Sequence, residues 1–313
     1  MYRIMKKRTN YFKGYWMITN KCNLSCSYCV LENASHQLRA ELDLAHKKAL
    51  VSHLYTHLQF RRLTLSGGEA LIIGKHPPTE FIALLNHIRQ YRSRTQEDNL
   101  QIEIYSNATY CNDEVVAAMQ DVVDVVAITI DSVNDAVLRD IGRKHRGGTR
   151  YLDHIVQVIG QLTACGITIK LHSVVSKKNI HALASEVRPI LEAIDQAAGT
   201  VHSWKFYQYM SYDAPEVDTV HTLPHDVYAA FCTQTREILK DTGIHLHFKD
   251  NQEMNASLFN ILSYGNAQYM NAGDTWSTSK RTEDLRNYPT MEALFARNAI
   301  DEARFRQFHE LRF

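Results

Sequence analysis

A surplus of charge of either sign is the first thing missing. In 313 residues, 35 Lys and Arg face 34 Asp and Glu, leaving a net charge of +1. With no global field, neither a nucleic acid nor a membrane surface is drawn to the chain as a whole, and any anion must be held by local placement. Long apolar runs are missing too. No stretch of about 18 apolar residues exists to cross a bilayer, and the basic opening MYRIMKKRTNYF is followed by no apolar segment of the secretory kind. Cysteines are few: six occur, three of them within eight residues. That usage fits a reducing cytosol and excludes a disulfide scaffold. Cys111, Cys165 and Cys232 stand alone and read as small buried or half-buried apolar residues. Low-complexity linkers and internal repeats are absent as well. These absences predict a cytoplasmic protein with no nucleic-acid and no membrane partner, expected to act as a monomer.

What is there is a large core and a regular alternation. The chain is 45% hydrophobic, enough for one barrel-sized domain or two smaller ones. Residues 15–20 (YWMITN), 61–66 (RRLTLS), 101–106 (QIEIYS), 122–131 (VVDVVAITID), 167–175 and 203–210 read as strands. The fourth is a near-continuous apolar run, suited to a strand covered on both faces of a parallel sheet. Between them, 42–59, 78–91, 112–120, 151–165 and 180–194 carry helical periodicity, followed by 227–242. Asn112 reads as an N-cap, and Gly166 as a helix stop.

Six alternations imply βα units with right-handed crossovers. They fall short of a closed eight-fold barrel, so the fold predicted is α/β, a partial (βα)6 TIM barrel with a C-terminal extension. The expected division is an N-terminal segment 1–14, a barrel 15–243 and an extension 244–313 closing the active site. In the extension, 244–249 and 257–262 read as short strands and 291–311 as a helical tail. Chemistry in such barrels sits where strands end.

At the end of the first strand stands KCNLSCSYCV, placing Cys22, Cys26 and Cys29 in the spacing C-x3-C-x2-C. Three thiolates can hold three irons of a [4Fe–4S] cluster and leave the fourth open to another ligand. A zinc site would want a fourth ligand close by, and the nearest histidine, His36, comes seven residues after Cys29. Ser66-Gly67-Gly68-Glu69 ends the second strand, where two glycines let a ligand approach the backbone and Glu69 could hold an ammonium group. Strand alternation adds an independent clue. Ile167, Ile169 and Leu171, Leu63 and Leu65, and Trp204 and Phe206 belong against the helices. The lumen then receives Arg62, Thr64, Ser66, Lys170, His172, Ser203 and Lys205. Three cations with no carboxylate among these positions are costly to bury unless an anion completes them. The plainer alternative is that the cations sit at strand mouths and are solvated.

C-x3-C-x2-C beside SGGE resembles the radical S-adenosylmethionine (SAM) superfamily over roughly residues 15–210. The resemblance implies a [4Fe–4S] cluster whose open iron chelates SAM, and a 5′-deoxyadenosyl radical that takes a hydrogen from a substrate. It implies that Gly67, Gly68 and Glu69 hold the SAM amino group. Ser106, Asn107, Arg143 and Ser173 would contact the rest of SAM, and Tyr28 would meet the adenine. An electron donor such as flavodoxin or ferredoxin is implied as a partner.

Within the superfamily, LSGGE (65–69), IYSN (104–107), IDSVNDAVLRDIGR (130–143), IKLHSVVSKKN (169–179) and WKFYQ (204–208), with Asn251, Gln252 and Met254, resemble the viperin-like nucleotide dehydratases. That likeness implies a nucleoside triphosphate substrate dehydrated to a 3′-deoxy-3′,4′-didehydro product in antiviral defence, with Lys170 and Lys205 on the triphosphate. The departures are Ala70 for proline, and His172, Ser203 and Arg62 for asparagine, arginine and lysine. Leu258 or Phe259 stands for a tyrosine, and Phe313 for a final tryptophan. A bacterial branch with its own nucleotide preference would carry such changes. Two alternatives remain. The stretch 130–148 also resembles peptide-modifying radical SAM enzymes, although no cysteine follows Cys232 to bind a second cluster. A non-catalytic iron–sulfur redox sensor would need neither SGGE nor a polar lumen.

Overall fold

The structure, a computed structural model, describes residues 10–33, 39–143, 150–212 and 214–311. The basic residues 1–9, His36, the 144–148 part of the peptide-modifier-like stretch, and Phe313 lie outside these. In chain order the elements are β1 (Tyr11–Thr19), α1 (Val30–Asn33), α2 (Leu44–Thr56), β2 (Phe60–Gly67), α3 (Thr79–Ile88), β3 (Gln101–Ser106), α4 (Asp113–Met119), β4 (Val125–Thr129), α5 (Asp135–Asp140), α6 (Tyr151–Ala164), β5 (Thr168–Val175) and α7 (Ile180–Gln196). They continue through β6 (Ser203–Gln208), α8 (Pro215–His221), α9 (His225–Ile238), β7 (His245–Lys249), α10 (Asn251–Ala256), β8 (Phe259–Ile261), β9 (Asn266–Tyr269), β10 (Lys280–Asp284), α11 (Met291–Asn298), α12 (Glu302–His309) and β11 (Glu310–Leu311).

Local sequence explains most of these. Asn112 caps α4 by accepting from Val115 N at 3.0 Å. In α6 the buried face is Tyr151, Ile155, Val158, Ile159 and Leu162, and each apolar side chain so removed from water contributes about 1.5–3 kcal/mol. Gly166, at φ +74°, then ends it.

One sheet runs in the order β10-β9-β8-β1-β2-β3-β4-β5-β6-β7, with β11 on β1. Every pair from β1 to β7 is parallel. Among the described residues β7 and β8 do not pair, so the barrel stays open, a partial barrel with a C-terminal extension. The barrel sheet continues past Gly243, because β7 adds in parallel to β6 with Lys205 opposite His247. β8 adds to the other edge, parallel to β1, and β9 and β10 follow antiparallel. β1 begins at Tyr11, where Phe12 and Lys13 already pair with β2. The expected single helical tail is two helices, broken at Ala299, whose φ of +51° is left-handed. The alternation of strands two, five and six holds: Leu63, Leu65, Ile169, Leu171, Trp204 and Phe206 are all at most 1% exposed in the core.

Candidate active site

The cysteine loop is held between two others by backbone contacts. On one side Glu69 N donates to Lys21 O at 2.8 Å and Gly68 N to Thr19 O at 3.1 Å. On the other, Ser27 N donates to Ile141 O at 3.0 Å and Ser25 N to Gly142 O at 3.3 Å. The contact is close enough to demand glycine. A Cβ on Gly68 would stand 2.2 Å from Lys21 O, and one on Gly142 2.0 Å from Ser25 O. The room that the missing side chain of Gly68 leaves is thus taken by the cysteine loop rather than by a ligand. Within the loop, Asn33 Nδ2 donates to Ser27 O and Cys29 O at 3.0 and 2.8 Å.

Glu69 is the hub of the SGGE turn. It is 1% exposed and does not line the cavity described below. Its carboxylate accepts from Asn107 N at 2.7 Å, Ser106 Oγ at 2.8 Å and Leu71 N at 3.2 Å. Burial pushes its pKa up, against those donors. Ser106 and Asn107 therefore tie β3 to the turn after β2. Ser173, fully buried, donates to Ile130 O and accepts from Trp204 Nε1 at 2.9 Å. Arg143 lies across the loop. It pairs with buried Asp131 at 3.2 Å, donates to Thr129 O at 2.9 Å and to Tyr28 Oη at 3.3 Å, and reaches Cys26 Sγ at 3.9 Å. Tyr28 in turn donates to Asp131.

A strut that the sequence did not reveal stands behind the loop. His221, at the end of α8 and fully buried, contacts Ser27 Oγ through Nε2 at 2.9 Å and Ser176 Oγ through Nδ1 at 3.2 Å. PEVDTVH is too short to show a period, so nothing marked it. Burial, with Lys178 adding, pushes the His221 pKa down to about 4. The imidazole is neutral when folded and titrates near 6.5 when unfolded. Its contribution to stability is complete above pH 6.5 and is lost as pH falls toward 4. The urea midpoint of the wild type is expected to drop more between pH 7 and 5 than that of His221→Gln. Parallel profiles would show that His221 does not carry this dependence.

The three thiols open on a cavity of about 920 Å³. Cys22, Cys26, Cys29, Gly67, Gly68, Ser106, Asn107, Tyr28, Arg143 and Ser173 line it, and so do Ser66, His172 and Lys205. Arg62, Thr64, Lys170 and Ser203 do not reach it. Arg62 Nε donates to Gln101 Oε1 at 2.8 Å, and Lys170 is paired with Glu103 at 2.9 Å. Glu103 is the carboxylate missing from the expected lumen, and it comes from strand three. His172 stands edge-on to Tyr105 at 4.5 Å and to Tyr207 at 5.3 Å between centroids. Its Nε2 is buried with no partner among the described residues. Burial, then Lys205 and Lys170, hold its pKa well below the usual histidine value. Residues of the extension, Met254, Leu258 and Phe308 among them, line the same cavity.

The donor set fits a cluster better than a single metal ion. Among the described residues no three Cys, His, Asp or Glu side chains converge on one ion, whereas each thiolate of a cubane binds its own iron. Burial raises all three thiol pKa values, to about 11 for Cys22 and Cys29, so coordination must drive the proton off. Donors are already aimed at two sulfurs: Leu24 N at Cys22 Sγ, 3.4 Å, and Arg143 at Cys26 Sγ. Arg143 lines the cavity, its Nε is buried without a partner among the described residues, and its guanidinium fits an anionic group.

A partial parallel barrel whose cavity is lined by three thiols and several cations defines a cofactor-dependent barrel enzyme. The radical SAM superfamily model matches residues 16–182, more than half of the chain, and the chain belongs to that superfamily. Its cofactors are a [4Fe–4S] cluster and SAM. Among relatives, the chain is 26% identical over 177 residues to an S-adenosylmethionine-dependent nucleotide dehydratase of a Thermoplasmatales archaeon, covering 56% of each. It is 23% identical over 175 residues to the GTP 3′,8-cyclase of Caulobacter vibrioides, covering 56% of this chain and 46% of that protein. The chain spans about half the length of these relatives. Among solved structures, SuiB of Streptococcus suis bound to S-adenosylmethionine superposes with a TM-score of 0.62 at 11% identity, over 95% of this chain and 67% of that one. No helix among the described residues is long and apolar enough to cross a membrane.

Proposed function

We propose that the chain is a nucleotide dehydratase, removing water from the ribose of a nucleoside triphosphate to give a 3′-deoxy-3′,4′-didehydro product, in the setting of antiviral defence. The observation that carries this reading is the cavity itself. The three thiols, Lys205 and His172 line one and the same cavity, which therefore offers both ligands for the cofactors and a cation for an anion. The nucleotide-directed names of two relatives support it. When bound, the reduced cluster and SAM supply a carbon radical able to take a hydrogen atom. Cys22, Cys26 and Cys29 would hold the cluster, and Arg143 the SAM carboxylate. Glu69 keeps Ser106 and Asn107 in place from behind. Lys205 offers an ammonium to phosphate, a charge-assisted contact. His172, neutral, offers one hydrogen bond to a substrate in the same cavity. Met254, Leu258 and Phe308 exclude water from that space.

The test is SAM cleavage by cluster-loaded protein with dithionite and, separately, CTP, UTP, GTP and ATP. Release of 5′-deoxyadenosine is expected to rise with at least one of them, with a didehydro nucleotide formed alongside. No rise with any of the four would sink the dehydratase reading and leave the superfamily assignment standing. Flavodoxin or ferredoxin in place of dithionite tests the electron donor, and a precursor-type peptide tests the peptide alternative.

A further inference from the structure

Two of the cations expected to meet the substrate are already engaged within the protein: Lys170 by Glu103 and Arg62 by Gln101. Three other lysines line the cavity with Lys205; Lys21 is engaged by Gly74 O, which leaves Lys13 and Lys249. Register puts them there. Lys13 lies opposite Arg62 at the start of the β1–β2 pairing. Lys249 ends β7 opposite Tyr207, two residues beyond the Lys205–His247 pair. The first parallel strand and the last two thus each deliver an ammonium to one cavity. Among the described residues the only ion pair in this group is Lys170–Glu103. Burial lowers the pKa of Lys13 and Lys205, and repulsion from neighbouring cations adds to it. Arg62, Lys249 and Lys170 act on Lys13, and Lys170, Lys249 and Lys13 on Lys205, with Glu103 opposing in both cases.

Three ammoniums crowded on one cavity without carboxylates of their own are held against both desolvation and mutual repulsion. An anion relieves both costs. A single phosphate reaches one or two of them, whereas a polyphosphate has charge along its length and spans walls contributed by different strands. Lysine suits the task as a compact, flexible point charge for phosphate oxygens. We infer that Lys13, Lys205 and Lys249 form the polyphosphate seat of this enzyme, and that Glu103 holds Lys170 out of it. The assignment of a nucleoside triphosphate as natural ligand rests on the function proposed above; the seat itself is testable without a nucleoside.

The probe is inorganic tripolyphosphate, titrated calorimetrically into cluster-loaded protein. Lys13→Gln and Lys249→Gln are each expected to weaken its binding about tenfold, and the double variant about a hundredfold, as for the loss of charge-assisted contacts. Lys249→Arg, which keeps the charge, is expected to stay within about threefold of the wild type. Orthophosphate is expected to bind more weakly and to lose less in each variant. No tripolyphosphate binding to the wild type, or equal binding to the wild type and the double variant, overturns the seat. Variants that bind less while nucleotides still fail to stimulate SAM cleavage leave the seat standing and remove the nucleotide reading instead.

Discussion

Gly68→Ala is expected to yield a folded protein that no longer retains its iron–sulfur cluster. The obstacle is not the backbone angle but space. The new Cβ would lie 2.2 Å from Lys21 O, 2.6 Å from Lys21 C and 2.9 Å from Cys22 Cβ. None of these is the far end of a flexible side chain, so the cysteine loop itself must move. Moving it breaks the hydrogen bond from Glu69 N to Lys21 O and displaces Cys22 relative to Cys26 and Cys29. Overpacking of this kind costs about 1–3 kcal/mol, which a core this large absorbs. Leu63, Leu65 and Phe60 behind the turn are fully buried and untouched. Cluster geometry has no such tolerance. Iron and acid-labile sulfide per chain, together with the visible absorbance of anaerobically reconstituted protein, provide the readout. Cys26→Ala serves as the reference for complete loss, and Cys111→Ala as the control expected to keep full iron content. Full iron content in Gly68→Ala would mean that the turn and the loop are not coupled as their contacts imply.

The parallel strands and the grouping of three cysteines on one loop were legible because both are local. Each strand is a short apolar or alternating run followed by a helical stripe, and the three cysteines lie within one loop. What escaped depends on register between distant segments. HLHFK alternates like any strand, but only its pairing with β6 makes Lys249 a cavity residue. Lys13 carries no such signal, because Gly14 interrupts the pattern before Tyr15. Glu103 did have a signal. The alternation test applied to strands two, five and six, extended to QIEIYS, puts Gln101, Glu103 and Tyr105 on one face, with Glu103 beside Thr64. The break between α11 and α12 had none, since Ala299 adopts a left-handed angle without the glycine that would advertise it. The SGGE turn was recognised, but Glu69 is anchored to β3 by contacts that only the fold brings together.

Asp131→Asn is expected to be the most destabilising single change near the site. Asp131 is fully buried at the end of β4 and Arg143 is 5% exposed, with 3.2 Å between them. Removing one charge of such a pair leaves the other uncompensated in a medium that solvates it poorly, at about 3–5 kcal/mol. Other contacts are disturbed with it. Asp131 Oδ1 accepts from Val174 N at 2.7 Å, and its other oxygen accepts from Tyr28. An amide can keep only one of its two side-chain atoms as acceptor. Chemical denaturation checks the size of the loss. The double variant Asp131→Leu/Arg143→Met separates stability from site chemistry. Replacing a buried pair by apolar groups removes the cost of the stranded guanidinium, so its denaturation midpoint is expected to recover that part of the loss but not the part due to Val174 N and Tyr28, which stay without their acceptor. SAM binding is not expected to recover, because Arg143, the guanidinium beside Cys26 on the cavity lining, is gone. Equilibrium dialysis of labelled SAM against the cluster-loaded double variant reads this directly. Wild-type affinity there would make the Arg143–Asp131 pair a purely structural element and would transfer recognition of the SAM carboxylate to another residue.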